Sequence, residues 1–274
     1  MKAKYRALKG SSLLPPEKFD FLVGESLKIS KEKLFLLADS LVFTEAQLNK
    51  IKLIEAEAIS GTPPEYIFKK AYFCENEFCV DENVLIPRPE TELLVREAKK
   101  RIENTEYRMQ KSFSILDLGT GSGCIAISIA KHCHSQGKNI EFFASDISPV
   151  ALKIAKKNAK RHKVKINSIK SDLFQNINKK FDLILANLPY GDMKDPDYKC
   201  VSDPKIATNG GKAGFELIEK AILDLAKYLN PNGQAIFEIG YDQAEKIKKV
   251  CKKVRLKCTI KKDLNNFPRI AIID

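Results

Sequence analysis

The sequence predicts an α/β fold: an open, Rossmann-like sheet of seven strands, mostly parallel with the last strand antiparallel, behind a small N-terminal helical domain and a linking β-hairpin. Three observations predict it. A short apolar run, a glycine-rich turn and an apolar helix follow one another at residues 115–130. Strand-like runs then alternate with helix-like ones to the end of the chain. Composition changes near Gly61, Pro63 and Pro64, dividing the chain into residues 1–64 (helical), 65–86 (hairpin) and 87–274 (sheet domain).

In the helical part, residues 1–16 read as a loose basic arm. Phe19, Leu22, Val23 and Leu27 recur at helical spacing. Ser30 is placed to cap a second short helix through Leu34, Phe35 and Leu37. Thr44 with Gln47 fits a capping box for a third, along Leu48, Ile51, Glu55 and Ile59. This unit is either a substrate-recognition module or a stabilising appendage. Tyr66, Phe68, Tyr72, Phe73, Phe78 and Val80 then suggest two strands about a turn at Glu75 and Asn76. Residues 85–94, LIPRPETELL, form a rigid elbow: Pro87 and Pro89 stiffen the approach to a helix that opens at Glu90 or Thr91. Arg88, Glu90, Thr91 and Glu92 either tie the domains together or line the mouth of a site.

The sheet domain begins with ILDLGTGSG at residues 115–123. Gly119, Gly121 and Gly123 permit positive φ and a close ligand approach, with the N–H groups of the next helix facing the ligand. No GK[ST] follows, which argues against a nucleoside-triphosphatase loop. A second strand, residues 140–144, leads to Asp146, placed like the ribose-binding acid of adenosine cofactors. Residues 164–169 are the third strand. Asp172 follows, placed to accept from an adenine amino group, with Leu173 and Phe174 flanking the ring; a plain loop carboxylate is the alternative. The fourth strand, FDLILA, ends in Asn187-Leu188-Pro189-Tyr190. There the Asn187 side-chain oxygen and the Leu188 carbonyl can accept two N–H groups of one planar nitrogen, Pro189 fixes the turn, and Tyr190 can stack on the amide or base. Such alignment suits methyl transfer. Residues 191–213 form a long polar rim, and a helix over 215–229 precedes a fifth strand at 235–239. Glu238 in that strand lies too far along to be assigned as a base. Residues 254–260 and 267–273 suggest a final antiparallel hairpin.

Lys and Arg number 47 against 35 Asp and Glu. Residues 87–274 hold 35 basic and 22 acidic side chains, so the positive field belongs to the sheet domain. It fits either an acidic or nucleic-acid partner or an ordinary solvated surface. No apolar run approaches the ~20 residues of a membrane span, and residues 1–9 lack a signal-peptide core, so a soluble cytoplasmic protein is expected. Seven cysteines without a CxxC pair read as reduced thiols. His132, Cys133 and His134 read as helix-end residues, His162 as a solvated one, and no metal is expected.

Taken together and in order, LIPRPETELLV, ILDLGTGSGCIAISIA, SDISPVALKIAKKNA, FDLILANLPY, IFEIGYDQ and KKDLNNFPRIAII resemble the class I S-adenosylmethionine-dependent methyltransferases of the amino-group type. More closely, they resemble the PrmC/HemK family of peptide chain release factor glutamine methyltransferases. The resemblance implies a protein-(glutamine-N5) methyltransferase with S-adenosyl-L-methionine as cofactor. It implies that Asp117, Gly119, Gly121 and Gly123 hold the methionine end, Asp146 the ribose hydroxyls, and Asp172, beside Leu173, the adenine, with Thr120, Ile147 and Asn187 also at the cofactor. Asn187, Leu188, Pro189 and Tyr190 would hold the substrate glutamine, with Arg88, Glu90 and Thr91 shaping the site. The implied partners are peptide chain release factors, with proximity to the ribosome, no membrane or direct nucleic-acid substrate, and a monomeric chain. Leu188 stands where the family usually has a second proline, and Asp203 where it usually has Glu. An NLPY turn also occurs in ribosomal RNA adenine dimethyltransferases, so an exocyclic base amine is an alternative acceptor. A glutamine of a ribosomal protein is another, although the sister family with that substrate lacks this PRPETE elbow. A non-catalytic binding protein is the third alternative.

Overall fold

A computed structural model describes residues 3–104, 113–191, 203–211 and 213–274. The chain divides into two compact units, Met1–Lys70 and Ala71–Asp274.

The first unit is helical. Helices α1 (Tyr5–Ser11), α2 (Pro16–Leu27), α3 (Lys31–Leu37), α4 (Glu45–Ile59) and α5 (Pro64–Ile67) surround a core of Tyr5, Phe19, Leu22, Val23, Leu34, Phe43 and Ile51. The capping box of α4 forms as expected: Gln47 N–H donates to Thr44 Oγ1 and Thr44 N–H to Gln47 Oε1. The N-terminal segment corrects the expectation of a loose arm. Strand β1 (Ala3–Lys4) pairs antiparallel with β2 (Val42–Phe43), Tyr5 is buried and donates to Asp20, and Lys9 pairs with Asp20 at 2.7 Å. The basic composition concealed that anchor. In α3 only Leu34 turns inward; Phe35 and Leu36 face solvent.

The second unit opens with the hairpin β3 (Lys70–Phe73) and β4 (Asn76–Cys79). Its turn is Cys74-Glu75, both at positive φ, one residue before the expected position; such a two-residue turn matches the twist of its strands. Phe73 and Phe78 join the core of this unit. Asn158, on helix α8 (Pro149–Arg161), exchanges two hydrogen bonds with the Cys79 backbone at 2.8 and 2.9 Å. The hairpin is therefore an integral part of the sheet unit, held by apolar burial and a fully buried amide.

The seven-stranded sheet comprises β5 (Phe113–Leu118), β6 (Ile140–Asp146), β7 (Asn167–Lys170), β8 (Phe181–Ala186), β9 (Leu229–Glu238), β10 (Cys258–Lys262) and β11 (Pro268–Ile273), in the order β10-β11-β9-β8-β5-β6-β7. Pairings from β9 to β7 are parallel; β11 runs antiparallel between β9 and β10. The expected final hairpin forms, but its second strand lies inside the sheet and its first takes the edge. Ile115, Leu183, Leu185 and Ile236 contribute to one core and Leu116, Ile184, Ala235 and Phe237 to another, the alternation of a sheet covered on both faces. The helices are α6 (Thr91–Asn104), α7 (Cys124–Ser135), α8, α9 (Lys205–Thr208), α10 (Glu216–Asp224) and α11 (Ala244–Lys253).

Boundaries differ from expectation where tertiary pairing overrides the local pattern. The 215–229 helix ends as a 3₁₀ turn at Leu225–Lys227, and β9 begins at Leu229 because Leu229 pairs with Phe181. Pro231, Asn232 and Gly233 are absorbed as an irregularity within β9, whose next pairing with β8 is Gln234 with Leu183. The expected polar rim contains α9, while residues 192–202 and 212 lie outside the described residues.

Candidate active site at the strand ends

Strands β5, β6 and β8 deliver their C-terminal ends to one cavity of about 370 Å³, where open α/β sheets bind ligands. Its wall includes Arg88, Thr91, Gly119, Thr120, Gly121, Asp146, Ile147, Asp172, Leu173, Asn187, Leu188 and Pro189. These are sequence-predicted site residues, and the fold gathers them from separate stretches of the chain.

The glycine turn is held from beneath. Asp117, wholly buried in β5, accepts from Thr120 Oγ1 at 2.7 Å and from the Ala126 N–H at 3.2 Å. Burial pushes its carboxyl up to about 6 despite these bonds, and its Oδ1 is buried with no hydrogen-bond partner. Asp117 braces the turn and does not form the cavity wall. Gly119 and Gly121 adopt φ of 74° and 53°, where a side chain costs energy. A Cβ on Gly121 would meet nothing within 4 Å, whereas one on Gly119 would stand 3.0 Å from Leu188 Cδ2. Gly123 lies behind the turn, against Ile127 and Ala155, and serves packing.

Asp146, the last residue of β6, is fixed by two backbone donors: Gly121 N–H to Oδ2 at 2.9 Å and Ser148 N–H to Oδ1 at 2.8 Å. Each oxygen keeps a lone pair for a ligand hydroxyl. Burial raises its pKa and these donors oppose the rise. Leu173 sits at φ 45°, an outlier for a bulky residue, on the cavity wall beside Asp172. Phe174 departs from expectation. It turns into the core and stacks on Tyr228 at 4.3 Å, away from the cavity.

On the opposite wall, Asn187 Nδ2 donates to Thr91 Oγ1 at 2.9 Å, from the first residue of α6. Among the described residues no donor meets Asn187 Oδ1 or the Leu188 carbonyl. Tyr190 does not line the cavity. Its hydroxyl donates to Glu238 Oε1 at 3.0 Å, and burial beside that carboxylate raises its pKa. Arg88 pairs with the buried Asp203, tying the elbow to the segment before α9. Glu90 is exposed and lines a separate depression with Arg96 and Lys99, so the fold does not bring it to the cavity.

Glu238 is the residue the sequence reading set too far away. Ala186 pairs with Phe237, so Asn187 and Glu238 occupy the next register position on adjacent parallel strands. Glu238 is 1 % exposed; burial raises its pKa, against the Thr91 and Tyr190 hydroxyls and the Arg269 charge. Its Oε2 is buried and makes no hydrogen bond. Also unanticipated on the wall are Leu85, Ile125, Ala151 and the α9 residues Lys205, Ile206 and Ala207. A strand-end signal existed for Glu238; the α9 residues carried none. Of the histidines, His162 bonds the Glu77 carbonyl at 2.8 Å and packs on Phe78, where a solvated residue was expected.

The chain matches the methyltransferase small domain family over residues 90–204. It is 35 % identical over 268 residues to the release factor glutamine methyltransferase of Flavobacterium psychrophilum, covering 94 % of this chain and 91 % of that enzyme. It is 37 % identical over 214 residues to the ribosomal protein uL3 glutamine methyltransferase of Francisella tularensis, covering 76 % of this chain but 66 % of that enzyme. Among solved structures it resembles a putative class I S-adenosylmethionine-dependent methyltransferase from Listeria monocytogenes, with 16 % identity, a TM-score of 0.51, and 98 % and 84 % of the two chains covered. That likeness is one of fold.

Proposed function

The chain belongs to the PrmC/HemK family of release factor glutamine methyltransferases, and we propose accordingly that it methylates the side-chain amide nitrogen (N5) of the glutamine in the Gly-Gly-Gln motif of peptide chain release factors. The methyl donor is S-adenosyl-L-methionine, and the products are N5-methylglutamine and S-adenosylhomocysteine.

One observation carries the reading: two acceptor oxygens without donors among the described residues, Asn187 Oδ1 and the Leu188 carbonyl, belong to adjacent residues on the cavity wall. A primary amide presents two N–H groups on one nitrogen, and this pair suits it. Both acceptors are neutral, so they orient the nitrogen and the proton is lost late. The residues present also fit the donor. Gly121 leaves the space a Cβ would fill, Asp146 keeps lone pairs for ribose hydroxyls, and Ile147 and Leu173 supply apolar wall for adenine beside Asp172. When bound, S-adenosyl-L-methionine supplies an electrophilic methyl on a sulfonium. The protein's own share is alignment, which accounts for much of the rate in such a transfer.

The match to the uL3 enzyme supports a second reading, a ribosomal-protein glutamine, but the release factor relatives are matched over more of their length. We assign the helical unit to recognition of the protein substrate and place the enzyme in the cytoplasm, monomeric and close to the ribosome. No described helix is long and apolar enough to cross a membrane. Transfer of labelled methyl to purified release factor, ribosomal protein uL3 and ribosomal RNA tests the reading. Label in release factor, lost when the Gly-Gly-Gln glutamine is replaced, is expected; label only in uL3 or only in RNA overturns it.

A further inference from the structure

The elbow at residues 85–94 is shared by two hollows of the sheet unit. Pro87, Arg88 and Thr91 line the cavity, while Pro89, Glu90 and Glu92 line a groove of about 590 Å³. Leu93 and Val95 of α6 give this groove apolar surface, and Asp263, Leu264 and Asn265 of the β10–β11 loop close it. The loop is rigid. Asp263 Oδ1 accepts from the Asn265 and Phe267 N–H groups at 2.9 and 3.1 Å, and Oδ2 accepts from Arg269 at 3.2 Å. The Asp263 N–H in turn donates to the Phe267 carbonyl at 2.9 Å. These bonds hold Leu264 95 % exposed. Phe267 and Tyr241, also exposed, meet edge to face with ring centroids 6.1 Å apart. Clustered apolar side chains held in water mark an interaction site, and a fixed backbone lowers the ordering cost of binding there.

The sheet order sets this surface on the acceptor side of the cavity. Ala186 pairs with Phe237 and Glu238 with Ile270, so Asn187, Glu238 and Ile270 continue one row across β8, β9 and β11. The glycine turn and Asp146 lie the other way, on β5 and β6. Two strand spacings, about 10 Å, separate Asn187 from the stem of the loop. An extended chain covers that distance and the height of the loop in about three to five residues.

We propose that the groove between the elbow and the β10–β11 loop seats the extended polypeptide flanking the methylated glutamine. An apolar side chain of that segment, about three to five residues from the glutamine, packs against Leu264. The proposal rests on the glutamine reading and adds to it the path of the substrate chain outside the cavity. Charge favours a polypeptide over a nucleic acid. Glu75, Glu90 and Glu92 outnumber Arg96 and Lys99 around the groove, and Asp263 is already held by Arg269, in a domain that is otherwise strongly basic. A phosphate backbone would be repelled by these carboxylates, whereas the N–H groups of a main chain would find acceptors in them. Glu90, which the fold keeps out of the cavity, belongs to this seat.

The test uses the full-length protein and purified release factor. Leu264→Ser changes a side chain already in solvent, so the melting temperature and the affinity for S-adenosyl-L-methionine should stay at the parent values. The KM for release factor should rise about tenfold, with kcat changed by less than about twofold. On a peptide of about five residues centred on the glutamine, too short to reach the loop, parent and variant should share one KM. A photoreactive benzoylphenylalanine replacing Leu264 should crosslink to release factor within about five residues of the glutamine. An unchanged KM for release factor in Leu264→Ser, or crosslinks confined to a distant part of the release factor, overturns the proposal and leaves the glutamine reading standing. Should the parent methylate uL3 in place of release factor, the same comparison is made on uL3. A raised KM there upholds the groove and overturns only the release factor reading, and an unchanged one overturns both. Methylation of RNA alone also overturns both.

Discussion

At the end of β5 the cavity is walled by backbone; at the end of β8 it is walled by groups that other elements hold in place. The first wall is one continuous stretch, in which Asp117 braces Thr120 and Ala126 and Gly121 leaves room for a ligand. The second draws on three elements: Asn187 and Leu188 follow β8, Thr91 opens α6, and Glu238 ends β9. The difference separates two tasks. On the proposed reading, a donor common to many enzymes would be gripped by features local in sequence, and the acceptor aligned by side chains whose mutual orientation only the fold supplies. The walls meet where a Cβ on Gly119 would stand 3.0 Å from Leu188 Cδ2.

The largest break should come from Asn187→Ala. Loss of one preorganised acceptor predicts a fall of about 10²–10³ in kcat, with S-adenosyl-L-methionine affinity nearly unchanged by calorimetry; a loss confined to cofactor binding would place Asn187 on the other wall. Asp117→Asn comes next and acts on stability. The unfolded chain releases the Asp117 proton near its ordinary 3.8 and the folded chain near 6, so the folded form holds more protons between these values. Its stabilising contribution is therefore full below pH 4 and is lost as pH rises to 6, by an amount on the order of 3 kcal/mol. Denaturant melts at pH 4 and pH 7, without cofactor, should show the Asp117→Asn variant gaining on the parent by that amount. A gap independent of pH would mean that the burial of Asp117 is relieved in solution.

Gly119→Ala tests the contact between the walls. A side chain at φ 74° costs about 1–2 kcal/mol, and the new methyl would press on Leu188 Cδ2. Melting temperature and kcat should therefore both fall, whereas a change limited to donor binding would show the walls to be independent. The smallest effect is expected from Leu188→Pro, the residue usual in the family. The acceptor there is a main-chain carbonyl, so kcat should change by less than about fivefold, a barrier difference of roughly 1 kcal/mol.

The same contrast explains what the sequence disclosed. The glycine turn, Asp146 and the Asn187 turn were legible because each is a local pattern with a local cause. The order of the sheet beyond β9 was not, since an antiparallel pair in sequence is compatible with either member at the edge. Tyr190 was expected over the substrate because aromatic rings stack; the structure turns its hydroxyl to Glu238, a partner 48 residues away. Glu238 looked remote for the same reason: distance along the chain says nothing about register between parallel strands. The N-terminal arm was misjudged because a single buried tyrosine and two short strands outweigh a polar composition.

The extra residues of β9 fall between its pairings with Phe181 and Leu183, at the far end of the strand from Glu238. Lengthening the chain at Asn230 to Gly233 would enlarge an irregularity already present and leave the remaining register intact. One residue inserted between Ala235 and Glu238 would carry the carboxyl to the opposite face of the sheet. Tolerance to insertion is therefore unequal along a single ten-residue strand, and a linker or reporter introduced at Asn232 should leave methyl transfer running.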